Sequence, residues 1–232
     1  MSNSLVPGCS IPCWIFLGGM VISILISGTA SAETHIRCRG ANVVVHSPDE
    51  ADALTACDGA AAAIIFLTSQ GLDAGAEIEM NIVQKLPEGC GHSAAGCYLE
   101  SKRWVLVLLY SEFNKQKTWF NLPIGRTLYR GLVSHEIAHD VAACNFKVAN
   151  PSIQAKEYIA NVTMFSTMAP RLREQVLKQF PGEGFEGDWQ MSTTIYMLDP
   201  MRFGAQAYRH FLKLANGREY LHAILSGKAL IE

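Results

Sequence analysis

Beyond residue 32 the spacing of hydrophobic and polar positions changes several times, and each change marks an element. Residues 36–46 alternate and include Val43, Val44 and Val45, the pattern of a strand. Ser47-Pro48-Asp49-Glu50 supplies a helix start, and residues 51–70 read as an alanine-rich helix with a broad apolar face and Gly71 as its stop. Residues 76–85 and 98–110 read as strands, the second turning at Glu100-Ser101-Lys102-Arg103 and carrying the apolar run Trp104-Val105-Leu106-Val107-Leu108-Leu109, which must be buried. Residues 132–146 recur at helical spacing, with Leu132, Ile137, Val141 and Cys144 along one flank. Asn150-Pro151-Ser152 caps a further helix over 153–168, another follows over 171–180, and Asp199-Pro200 opens one that runs to Leu214 and stops at Asn216-Gly217. Between the last two, residues 181–190 form a Gly-rich loop long enough to border a cleft. The predicted class is α+β, with an N-terminal strand-helix-strands layer followed by a mainly helical half.

The chemistry concentrates in the helix over 132–146, LVSHEIAHDVAACNF. His135 and His139 lie four residues apart, so a helix stacks both imidazoles on one face, close enough to grip one metal ion. Glu136 sits about 100° around the axis from His135, where a carboxylate reaches a metal-bound water without ligating the metal. This is the H-E-x-x-H arrangement of zinc peptidases. The alternative is an amphipathic core helix with two polar histidines at its rim. Asp140 departs from the pattern, because zinc peptidases usually keep an uncharged residue after the second histidine. In such enzymes an edge strand beside the motif helix holds extended substrate backbone. Residues 104–110 are the nearest candidate, with a central strand lacking a free edge as the other reading.

Composition narrows the setting. Residues 1–32 contain no Lys, Arg, Asp or Glu, and residues 11–26 are apolar but short for a bilayer span. They end at Ala30-Ser31-Ala32, which matches a signal-peptide cleavage site, so the expected mature chain is a single domain over 33–232 in a secreted or periplasmic location. An uncleaved anchor is the alternative. All 19 Lys and Arg and all 21 Asp and Glu follow residue 32; the formal net charge is −2, with no basic stripe to suggest nucleic acid or membrane partners. The expected protein is a monomer. Of seven cysteines, five follow the signal, and an oxidising compartment favours pairing. Cys90 with Cys97, around a Gly-rich loop, and Cys38 with Cys57 are the natural pairs. Cys144 is left as a buried small hydrophobe.

Two histidines do not complete a catalytic zinc site, which takes three protein ligands and leaves a fourth position to water. The spacing that would supply a third histidine from the same segment is absent, since Ala142 and Asn145 stand where Gly and His would. Between Val141 and Pro170, Glu157 is the only Asp, Glu or His, and it becomes the third ligand by elimination. With His135, Glu136 and His139 followed by Glu157 in KEYIAN, the chain resembles the gluzincin, thermolysin-like branch of zinc metallopeptidases over residues 130–165. The resemblance implies a zincin-like fold, a bound Zn2+, a peptide or protein substrate, and Glu136 as general base. It also implies a Tyr or His from the C-terminal part that stabilises the oxyanion, for which Tyr208 and His210 are the candidates, beside a reading as an ordinary surface cluster. Asn161 stands where those enzymes often carry an acidic residue that orients a ligand histidine. The competing class is a zincin-shaped binding or structural domain that performs no hydrolysis. More loosely, the exported chain looks like a group of small secreted bacterial proteins known only as a domain of unknown function.

Overall fold

A computed structural model describes residues 34–91 and 94–231, and these fall within one compact unit. The predicted signal segment, residues 1–32, lies outside the described residues. The chain opens with strands β1 (Thr34–Arg37) and β2 (Val43–Ser47), a hairpin where the valine-rich pattern suggested one strand. Gly40 makes the reversal with a left-handed φ of 74°, a conformation whose glycine punctuation is easily lost inside an alternating run. Helix α1 (Glu50–Ser69) follows, its first turn capped by the Asp49 carboxylate, which accepts from the Asp52 N–H at 2.9 Å.

Strands β3 (Ile78–Val83), β4 (Gly96–Leu99) and β5 (Trp104–Leu108) complete a five-stranded sheet in the order β1-β2-β3-β5-β4. Strands β2, β3 and β5 are parallel to one another, while β1 and β4 run antiparallel to them at the two edges. The apolar run is therefore interior: Val105, Leu106 and Val107 are buried and Trp104 is exposed at the turn. The candidate edge shifts from residues 104–110 to β4, whose outer side has no strand partner among the described residues.

Helix α2 (Tyr110–Phe113) and the small hairpin of β6 (Thr118–Trp119) and β7 (Leu122–Pro123) lead into the motif helix α3 (Arg126–Asn145). This helix starts six residues before the predicted boundary, because its first turn is tied down by tertiary contacts. Arg126 pairs with the buried Asp52, and the Tyr129 hydroxyl donates to the Leu108 carbonyl at 2.9 Å. Helix α1 crosses α3 at Gly59, where an added Cβ would press on the Arg130 carbonyl, and the Ser134 hydroxyl donates to the Gly59 carbonyl at 2.9 Å. That close approach buries most of α3, including Tyr129, Val133, Ile137 and Val141.

Helix α4 (Ile153–Thr167), capped by Ser152, packs against α3; α5 (Pro170–Gln179), α6 (Thr193–Leu198), α7 (Pro200–Lys213) and α8 (Gly217–Leu225) complete the chain. Two of these escaped the sequence pattern. Asn216 does end one helix, but its side chain also accepts from the Glu219 N–H at 3.1 Å and opens α8. The six-residue α6 is too short for helical periodicity to register.

Disulfides join Cys38 to Cys57 and Cys90 to Cys97. Bridges of this kind persist in oxidising compartments, outside the cytoplasm. Cys144 is free but exposed, not buried: it sits at the last turn of α3, beyond the packed part of that helix.

Candidate metal centre

The sheet edge, α3, α4 and α6 enclose a cleft of about 980 Å3, with His135, Glu136, His139 and Glu157 among its lining residues. One turn of α3 brings the two imidazoles together, Nε2 to Nε2 at 3.1 Å. Glu157 points across from α4, with one carboxylate oxygen 3.4 Å from His135 Nε2 and the other 3.6 Å from His139 Nε2. Three groups from two helices thus converge, each mostly sequestered from solvent, and together they could hold a metal ion. Two imidazole nitrogens this close repel through their lone pairs unless a proton or a cation lies between them. A carboxylate facing both adds negative charge that a cation would balance.

Without a metal, the electrostatics are those of a strained cluster. Burial alone would keep His135 neutral, but the hydrogen bond and charge of Glu157, with Glu136, outweigh it and raise its pKa. Burial drives His139 down to about 4. Burial would raise Glu157, yet the hydrogen bond from His135 and the charges of both histidines hold it below its ordinary value. Glu136 is 6 % exposed, and burial first, then the Glu157 charge, pushes it up to about 7 against the opposing pull of His135. Its carboxylate lies against β4, where an added Cβ at Gly96 would collide with it.

Tyr208 and His210 lie elsewhere. Tyr208 is buried in a secondary core, where its ring stacks on Phe165. His210 is 5 % exposed and shares a 2.7 Å hydrogen bond between its Nδ1 and the Tyr158 hydroxyl. Neither lines the cleft, because α7 turns their face into the packing against α4. The tyrosine the structure brings to the cluster is Tyr196 of α6, which lies beside Glu157 and lines the cleft. Sequence reasoning passed it over, since the only local signal is the Ser192 cap, which accepts from the Ile195 N–H at 3.3 Å. The Gly-rich loop of residues 181–190 is not the cleft wall either. Its Asp188 accepts from the Tyr220 hydroxyl at 2.5 Å and the Leu230 N–H at 3.0 Å, which holds it against the C-terminal segment. Asn161 does not orient a histidine: its Nδ2 donates to the Glu157 carbonyl at 2.8 Å, and among the described residues the buried His135 Nδ1 has no hydrogen-bond partner.

Fold and site together define an α+β protein with a cleft at a sheet edge and a His-His-Glu group able to hold a metal ion. The chain belongs to DUF6639, a family of unknown function, whose profile matches residues 43–232. No curated protein and no solved structure matches it.

Proposed function

We propose that the protein is an exported zinc peptidase with a zincin-like arrangement. The convergence of His135, His139 and Glu157 carries this reading, since two imidazoles and one carboxylate are a ligand set that zinc favours and that leaves a position free. A zinc ion held there supplies a Lewis acid for the scissile carbonyl and makes a bound water easier to deprotonate. Glu136, buried beside the ligands and lining the same cleft, takes a proton from the attacking water. It then passes that proton to the leaving amine, so the amide becomes a carboxylate and an amine with no other reactant. Tyr196 takes the place expected of Tyr208 or His210: its hydroxyl, beside Glu157, donates to the oxygen that becomes negative. The outer edge of β4 holds extended substrate backbone by strand addition. The apolar, uncharged segment over 1–32, read as a signal, and the two disulfides support an activity in the periplasm or outside the cell.

One observation favours the competing reading, a metal-holding domain that hydrolyses nothing. Among the described residues, His135 Nδ1 has no outer partner of the kind that ordinarily orients a ligand histidine. Incubating zinc-loaded protein with a peptide library and reading products by mass spectrometry separates the two. Cleavage by the wild type, reduced about 10² to 10⁴-fold in Glu136→Gln at equal zinc content, is the expected result. Zinc-loaded wild type that leaves every peptide intact moves the binding domain ahead.

A further inference from the structure

Asp140, the residue that departs from the zinc-peptidase pattern, is fully buried one turn beyond Glu136 on α3. A carboxylate persists in that setting only when paired, and its partner comes from the β4–β5 turn rather than from its own helix. Arg103 reaches it with two prongs, Nη2 to Oδ2 at 2.9 Å and Nε to Oδ1 at 3.3 Å. Arg103 adopts a left-handed φ of 53°, an uncommon conformation for a residue with a Cβ. Tyr98, from β4 itself, lies near the same carboxylate, and burial together with the Asp140 charge holds its phenol above the ordinary pKa.

The spacing of these contacts is the telling feature. Gly96 and Tyr98 are two residues apart on β4 and so share a face, about 6.7 Å apart along the strand. Glu136 and Asp140 are four residues apart on α3, about 6 Å along the helix. The strand therefore touches the helix at two points in register, Gly96 on Glu136 and Tyr98 on Asp140. A four-residue strand that, among the described residues, pairs on one side only, with β5, has little order of its own. The Cys90–Cys97 disulfide ties one end, and the Asp140–Arg103 pair ties the other.

We propose that Asp140 is a positioning residue that clamps the β4–β5 hairpin to the motif helix and so fixes the free edge of β4 as the rail for an extended peptide. This rests on the peptidase reading above. Arg103 is partly exposed and solvated, so removing Asp140 strands no buried charge and the variant folds.

Two zinc-directed probes separate the clamp from the metal: acetohydroxamate, which reaches only the ion, and N-acetyl-tri-alanine hydroxamate, whose backbone also lies along β4. In Asp140→Ala the tri-alanine probe binds about tenfold more weakly, the scale of one charge-assisted hydrogen bond, while acetohydroxamate binds as to wild type. Asp140→Asn, which keeps the shape and one acceptor, falls between. Amide exchange in Gly96–Leu99 speeds up in Asp140→Ala, while Ile78–Val83 is unchanged. Equal weakening of both probes, or unaltered exchange in β4, overturns the proposal. If neither probe binds wild type, the peptidase reading fails, and the exchange of β4 decides the clamp by itself.

Discussion

The Asp140–Arg103 pair makes a stability prediction that does not depend on activity. Arg103→Met keeps the length of the side chain and removes its charge, leaving a carboxylate with no solvent exposure and no cation. Breaking a buried pair by removing one partner costs about 3 to 5 kcal/mol. The lower end applies here, because Arg103 is 39 % exposed and the Tyr98 hydroxyl still faces Asp140. The expected loss is about 3 kcal/mol, a fall in Tm of about 6 to 12 °C for a domain of this size. The reverse change is gentler. Asp140→Asn leaves Arg103 free to find water and costs about 1 kcal/mol. Urea denaturation of the two variants beside wild type measures both. Equal losses, or a greater loss in Asp140→Asn, would refute the assignment of the buried partner.

Further expectations concern Gly96 and His210. Gly96→Ala places a methyl group against the Glu136 carboxylate, so the carboxylate turns aside or β4 lifts; peptide hydrolysis falls about 10²-fold while zinc content stays at the wild-type level. Unimpaired hydrolysis would show that Glu136 does not act from this position. His210 is held neutral by burial, which lowers its pKa below 6.5. The unfolded chain therefore binds the proton first, and the stability His210 permits is lost as pH falls below about 6.5. In His210→Gln the acid-side decline should be shallower by up to about 1.4 kcal/mol per pH unit, measured by denaturation of zinc-loaded protein from pH 7 downward. Identical slopes would place the titration elsewhere.

Much of the fold was readable because local signals agreed with tertiary need. Asp49 before an alanine-rich run, and Ser152 after Asn150-Pro151, cap the helices that the pattern outlines, and Glu100 to Arg103 turns where four polar residues interrupt two strands. The paired cysteines were legible from loop composition and chain order. Boundaries set by distant partners were not. Arg126 belongs to α3 because Asp52, 74 residues earlier, receives it, and no local window contains that information. The His-His-Glu group was legible because helical spacing and elimination point to the same three residues. The tyrosine beside them was not, since Tyr196 reaches the cleft on a six-residue helix, whereas Tyr208 and His210 sit on a strongly amphipathic one whose buried face they share. Cys144 shows the converse error: apolar spacing on a helix says nothing about whether another element covers its last turn.

The central claim is that His135, His139 and Glu157 hold a zinc ion, and elemental analysis of purified protein after zinc loading and dialysis tests it most directly. Wild type and Glu136→Gln should each retain about one equivalent of zinc, while Glu157→Ala, which loses one of three ligands, should retain well below that. Zinc-free wild type, or Glu157→Ala holding as much zinc as wild type, would contradict the account.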